Sequence, residues 1–321
     1  MNVIRFVLAA TAVALLIEPA LGQTYPARPV RLIVPLTAGS SIDIVARAVA
    51  SKLQQAWGQP VIVENRTGAG GTIAAAHVAK SAPDGYTLLV SSNGHISNPN
   101  LYASLPYDTI KDFVDIAPLA KVGQVLVVAP STNIGSVAQL IAAARARPNE
   151  LTFASAGIGT GTHFTAERFK FATGIQVEHV SYRGGVEAMT DVVAGRVTYW
   201  FPSVAIALPM IKDGRIVPLG VTTRDRSALL PNVPTLAEAG LAGFDDALWF
   251  GVSAPAGTPS EIVLKLARDI AAVAALPETV EQFRKVGGET MLLTPGEFAK
   301  FVKSETATAA SLAKAAGIKP Q

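Results

Sequence analysis

The sequence of 321 residues contains no cysteine, which removes disulfide staples, thiolate metal sites, redox motifs and lipid attachment at a cysteine in one step. Without cross-links the chain has to hold itself by core burial, and 50% hydrophobic residues at this length allow it. Long apolar runs are also missing after the N-terminus, where no stretch approaches the roughly 18 apolar residues of a membrane helix. Runs of Lys or Arg are absent, and the net charge is only +3, so nothing in the charge pattern points to nucleic acid.

Catalytic and metal motifs are equally scarce. The glycine loops fail the dinucleotide fingerprint, because Ile73 and Thr162 stand where its third glycine belongs, and neither loop continues into Gly-Lys-Ser/Thr. A Gly-x-Ser-x-Gly elbow at Ser155 is excluded by Phe153. Ser311 and Lys314 match Ser-x-x-Lys by chance spacing in an Ala-rich terminal helix. His77, His95, His163 and His179 have no metal-ligand spacing among them, so neither a metal nor a cofactor is expected. No enzyme is expected, an exported enzyme being the third and last reading.

What is present begins with an N-terminal export signal: Arg5, an apolar run from Phe6 to Ile17, and Ala20-Leu21-Gly22 as a small-x-small cleavage site. Residues 1–22 are read as a signal peptide, and the mature chain is expected to begin near Gln23. Its length favours two domains.

The chain then alternates. Leu32-Ile33-Val34 reads as a buried strand, followed by a small-residue loop and a helix from Ser40 or Ser41, with Ser40 and Asp43 spaced as a capping box. Val61 to Glu64, then Asn65 to Gly71, repeats strand, glycine loop and helix start, and Tyr86 to Val90 runs into the polar loop Ser91 to His95. Further on, Leu151 to Ala154 delivers a loop from Ser155, with Thr162 as the expected helix cap, and Val177 to Val180 delivers Ser181 to Gly185. Such alternation specifies α/β architecture with mostly parallel sheets. Extended stretches near Gln124 to Ala129 and Leu248 to Val252 suggest one domain entered and left once, with C-terminal helices packing back on the first. A cleft between two such units is the natural ligand site, and free amides at helix starts suit a carboxylate there.

Several stretches, taken together, resemble the Bug-type extracytoplasmic solute receptors of tripartite tricarboxylate transporters. They are Tyr25-Pro26-Ala27-Arg28-Pro29, the loop Val34 to Gly39 with Asp43, Val63-Glu64-Asn65-Arg66 before Gly-Ala-Gly-Gly, Pro83-Asp84-Gly85-Tyr86, Leu105-Pro106-Tyr107-Asp108, Ser155-Ala156-Gly157, Pro231 to Thr235, and Ala254 to Pro259. The resemblance runs over nearly the whole mature chain.

It implies a two-lobed, type II-like periplasmic binding protein with lobe 1 from 23–123, lobe 2 from 124–249, and 250–321 returning to lobe 1. The expected ligand is a small organic carboxylate held largely by loop amides and ordered water. Its contacts are expected from Leu36, Thr37, Ala38, Gly39, Ser40, Ser41 and Asp43; from Ser91, Ser92, Asn93 and His95; from Ser155, Ala156, Gly157, Thr160 and His163; from Tyr182, Arg183 and Gly184; and from Ser203, in a Pro202-Ser203 pair where many members carry Asp-Asn. A second anionic group of the ligand is expected to fall to Arg183. The expected setting is the periplasm, as a monomer, with membrane permease subunits as partners and no nucleic acid. A ligand sensor of the same fold that signals to a membrane partner is the alternative.

Overall fold

The apolar run at Val30 is a strand because both of its faces are covered. In β1 (Val30–Val34) the side chains of Leu32, Ile33 and Val34 have no accessible surface. Parallel strands enclosed in this way need crossover helices, and the chain supplies them in order. α1 (Ser41–Trp57) ends at Gly58, whose φ of 64° forms a left-handed cap, and β2 (Val61–Asn65) follows. α2 (Thr72–Ala79), β3 (Thr87–Ser92), the short α3 (Asn93–Ser97) and β4 (Phe113–Val122) come next. Then come β5 (Val125–Val128), α4 (Val137–Ala146), β6 (Thr152–Ser155), α5 (Gly161–Thr173), β7 (Glu178–Ser181) and α6 (Gly185–Val193). β8 (Tyr199–Trp200), α7 (Val204–Lys212), β9 (Val217–Val221), β10 (Leu248–Pro255), α8 (Ser260–Ala274), α9 (Pro277–Lys285), β11 (Gly288–Thr290) and α10 (Pro295–Ala315) complete the chain. This computed structural model describes residues 25–315, 318 and 320. The signal-peptide reading of 1–22 and the start at Gln23 lie outside the described residues.

The strands form two sheets, β11-β4-β10-β3-β1-β2 and β7-β6-β8-β5-β9, flanked by helices. The expected mostly parallel sheets are in fact mixed. In the first, β2, β1, β3 and β4 run one way and β10 and β11 the other; in the second, β5 alone is reversed. The geometry of the crossing explains β5 and β10. Strands that deliver loops to the cleft run toward it, whereas a strand arriving from the other lobe must run away from it. β5 is the first strand after one crossing and β10 the first after the return.

β4 is absent from the sequence reading because Asp115 and Pro118 interrupt its apolar pattern. Pro118 sits at a register shift against β10, between Phe250 and Gly251, where a residue without an N–H can be accommodated.

Each sheet buries a core on both faces. α1 and α8 cover one face of the first through Val45, Val49, Leu266 and Ile270, and Ala74, Ala75 and Val78 of α2 cover the other. In the second, Phe153, Phe169, Tyr199 and Phe201 fill one side and Val125, Met189, Trp200 and Val204 the other. α10 reaches both lobes: Phe298 and Val302 pack on Trp249 and Ile96, while Ala309 packs on Phe164 of α5. At the crossing, the Thr222 amide donates to the Gln124 carbonyl at 2.9 Å, the Asp246 amide to the Thr222 carbonyl at 2.9 Å, and the Thr222 hydroxyl to the Asp246 carbonyl at 2.7 Å.

Candidate functional site

Between the two sheets lies a cavity of about 460 Å³, the size of a small-molecule site. Its first wall is the loop that joins β1 to α1, Leu36 to Ser41. That loop is held from behind by Asp43, whose carboxylate accepts from the Gly39 amide at 2.9 Å, from Asn65 Nδ2 at 2.9 Å and from Arg47 Nε at 3.0 Å. Asn65 also donates to the Leu36 carbonyl at 2.9 Å. Burial pushes the Asp43 carboxyl up, but the bonds from Arg47, Gly39 and Asn65 outweigh it and hold the group below its usual value.

The capping box expected between Ser40 and Asp43 is therefore not formed. Asp43 is taken by Gly39, and the Ser40 hydroxyl donates to the Thr37 carbonyl at 2.7 Å. The first-turn amides of α1, which a helix leaves without internal partners, are consequently not capped by their own serine.

The same arrangement recurs around the cavity. α5 begins after Thr160 rather than at the expected Thr162, α6 after Gly184 and α7 after Ser203, and none of these residues caps its own helix through a side chain. Ser40, Thr160, Gly184 and Ser203 all line the cavity. Four helix starts without a side-chain cap thus converge on one space, each contributing the positive end of a dipole, although the first amide of α7, on Val204, donates to the Gly123 carbonyl at 3.1 Å and the first turns of α1 and α6 hold Asp43 and Glu187. The lobes touch across it: the Ser41 hydroxyl donates to that of Ser203 at 2.9 Å, and both residues are buried.

The remaining expected residues divide clearly. Ser92, Asn93 and Ala156 line the cavity with the Leu36–Ser41 loop. Ser91 and His95 line only a small adjoining recess of about 20 Å³, room for about one water molecule. Ser155, Gly157, His163, Tyr182 and Arg183 are not in the cavity wall. The Ser155 hydroxyl is engaged with His179 Nε2 at 2.7 Å and with the Gly157 amide at 3.1 Å. The loop amides counted on after Ser155 are largely used within the lobe, Ala156 donating to the Thr162 hydroxyl, Ile158 to that of Ser181 and Thr160 to the Gly157 carbonyl. Tyr182 turns its hydroxyl to Asp191 at 2.6 Å, and Arg183 is exposed.

The histidines are neutral supports. His95 is buried against Tyr107 and Phe113, and burial pushes its pKa down to about 4. His163 and His179 stack at 4.2 Å beside Phe153; burial lowers His163 to about 3, aided by His179, and His179 to about 4.

This burial has a measurable consequence. The unfolded chain takes up these protons near pH 6.5 and the folded one only near pH 4 or below, so their contribution to stability is level above that range and falls as pH drops from 6.5 toward 4. Each histidine costs up to about 1.4 kcal/mol per pH unit in that window. Asp246 and Glu305, whose carboxyls burial pushes up, act in the opposite sense, so the measurement is a difference. Urea unfolding of wild type and His95→Phe is expected to show the gap between them narrowing by about 2 kcal/mol from pH 6.5 to pH 5. A gap independent of pH would mean that His95 is not held neutral by the fold.

The sequence reading misses the far wall. α6 contributes Val186, Met189, Thr190 and Val193, α7 contributes Ile206 and Met210, and Trp200, Leu248 and Phe250 close the floor. Spacings of three or four residues put each helical set on one face, a pattern that reads as ordinary core. Arg215, just after α7, is the one charged side chain among the described residues that line the cavity. No Asp, Glu, His or Lys is among the described residues lining the cavity, so these side chains offer neither a general base nor a metal ligand set.

Comparison with known proteins agrees with this architecture. Residues 45–318 match the family model described as tripartite tricarboxylate transporter family receptor. The protein BugT of Bordetella pertussis is 37% identical over 313 residues, covering 96% of this chain and 95% of BugT. Among solved structures, R. palustris Rpa4515 with adipate superposes with a TM-score of 0.87 at 37% identity, covering 92% of this chain and all of that one. MatC (Rpa3494) from Rhodopseudomonas palustris with bound malate gives 0.84 at 29% identity, over 90% of this chain and all of that one.

Proposed function

The chain belongs to the tripartite tricarboxylate transporter receptor family, and from that premise we propose that it captures a small organic carboxylate between its lobes and presents it to membrane permease subunits. The observation that carries this reading is the convergence of four helix starts without side-chain caps, at Ser40, Thr160, Gly184 and Ser203, on a cavity with no acidic residue among the described residues lining it. Each start favours an anion by about 0.3–2 kcal/mol, so four together supply on the order of 3 kcal/mol. The relatives solved with adipate and malate support the same class of ligand. In this proposal the protein works in the periplasm as a monomer, and 25–123 with the chain after 249 form one lobe, 124–249 the other. The lobes hinge where the chain crosses between them, and their contact at Ser41 and Ser203 belongs to the closed, ligand-holding form.

Calorimetric titration with adipate and with neutral adipamide tests the charge requirement. Adipamide is expected to bind about a hundredfold more weakly, the equivalent of roughly 3 kcal/mol. Equal binding of the two would remove the anion site from the helix starts.

A further inference from the structure

The cavity is chemically divided, and the division narrows the ligand. Helix starts and hydroxyls occupy one side. The other is built from Met189 and Val193 of α6, Ile206 and Met210 of α7, and Trp200. These side chains offer a ligand no hydroxyl or carboxylate to bond. Thr190 is the one hydroxyl among them; it donates to the Val186 carbonyl at 2.9 Å and so has only acceptor capacity left for a ligand. A ligand hydroxyl placed against Met189, Val193, Ile206 or Met210 would lose its water without replacement, at a cost of about 1–3 kcal/mol.

Arg215 stands at the edge of that wall. Gly214, at φ 68°, turns the chain out of α7, and the Arg215 amide closes the turn on the Met210 carbonyl at 2.9 Å. The turn therefore sets Arg215 next to Met210, a wall residue. Arg215 is exposed and forms no ion pair among the described residues, whereas Arg196, after α6, is tied to Asp191 at 2.6 Å. An unengaged guanidinium is a planar fork suited to a carboxylate.

We propose that the ligand is a dicarboxylate with an apolar, unhydroxylated body, whose second carboxylate is met by Arg215 while its body lies against the α6–α7 wall. This rests on the reading that the helix starts hold the first carboxylate. Arg215 is then a specificity-determining residue, and the role expected of Arg183 from the sequence passes to it.

The experiment titrates suberate, octanoate and malate into wild type, Arg215→Gln and Arg183→Gln, with thermal melts as a folding control. Wild type is expected to bind suberate at least about tenfold tighter than malate. Arg215→Gln is expected to lose about tenfold for suberate while octanoate binding stays within about twofold, and Arg183→Gln to leave both unchanged. Malate binding as tightly as suberate would overturn the apolar body. An unchanged suberate affinity in Arg215→Gln, or equal losses for suberate and octanoate, would overturn the assignment of Arg215 while the carboxylate-receptor reading stands. Binding of none of the three acids by wild type would overturn both readings, and so would an adipamide affinity equal to that of adipate, because it removes the helix-start anion site on which the second carboxylate's placement depends. Met210→Gln separately tests the wall: it is expected to narrow the preference for suberate over malate, and an unchanged preference counts against the wall as the selecting surface.

Discussion

A Gly94→Val variant is expected to fold as the wild type does and to bind its carboxylate about a hundredfold more weakly. Gly94 lies in α3 with backbone outside the left-handed region, so a side chain there meets no backbone strain. Within its own lobe the new Cβ would have ordinary contacts, 3.5 Å from the Gly70 carbonyl oxygen and 3.6 Å from Ser92 Oγ. Across the cleft it would stand 2.8 Å from the carbonyl oxygen of Gly159, closer than a Cβ can approach. The clash exists only when the lobes are closed. Overpacking of this kind costs about 1–3 kcal/mol, and valine, with two further methyl groups, belongs at the upper end, which corresponds to about a hundredfold in affinity. Titration, melting and small-angle scattering with saturating adipate read the three parts of the claim. A normal affinity, or an affinity loss matched by a fall in melting temperature, would show that the seam between Gly94 and Gly159 does not gate binding.

Asp43→Ala should have an effect of similar size, but on folding as well as binding. Removing the carboxylate strands the Gly39 amide, the Asn65 amide group and the Arg47 guanidinium together. Breaking a buried charge pair costs about 3–5 kcal/mol; because Arg47 is half-exposed and can turn to water, the lower end, about 3 kcal/mol, is expected in urea unfolding at pH 7. Asp43→Asn, which keeps the shape and loses the charge, should fall between. Since the folded protein holds this carboxyl below its usual value, the contribution is complete above the unfolded pKa of about 3.9 and fades as pH falls through the folded value. Affinity is expected to drop with stability, because the Leu36–Ser41 loop loses its support. A loss below about 1 kcal/mol with unchanged binding would show that the loop holds its shape without Asp43.

The sequence makes the strand–loop–helix units at Val34, Asn65 and Ser155 legible, because apolar runs, glycines and helix caps act locally. Direction is not local. Nothing in Val125–Val128 distinguishes a reversed strand from a parallel one, since that depends on which lobe the chain has just left. The lining of the candidate cavity was legible where it consists of loops, from Leu36 to Ser41 and at Ser92, Asn93, Ala156 and Thr160. It was not legible at Met189, Ile206 or Met210, because an apolar helix face packs into a core or lines a cavity with the same spacing. Arg183 attracted attention by its place at a strand end, while Arg215, after an ordinary Asp-Gly turn, carries no pattern at all. Ser40 and Asp43 show the reverse failure: the spacing of a cap is present, but a better partner, Gly39, takes the carboxylate.

One feature of the first sheet bears on how the chain assembles. β4 and β10 are the two arms of a single antiparallel hairpin, with Val122 at the end of one paired to Leu248 at the start of the other, so everything from Gly123 to Ala247 stands where a turn would be. The entropy of closing a loop grows slowly with its length, about 0.6 kcal/mol per doubling, yet an unfolded loop of that size still leaves its ends far apart in sequence. Thr222 removes the difficulty by binding Gln124 and Asp246 together. Once the inserted unit has folded, the two arms emerge side by side, and the hairpin closes as though its turn were short. The contiguous inserted unit should therefore fold first. Until it does, the place between β3 and β4 that β10 will fill remains empty, and those two open edges are where a nascent chain is most exposed to pairing with its neighbours.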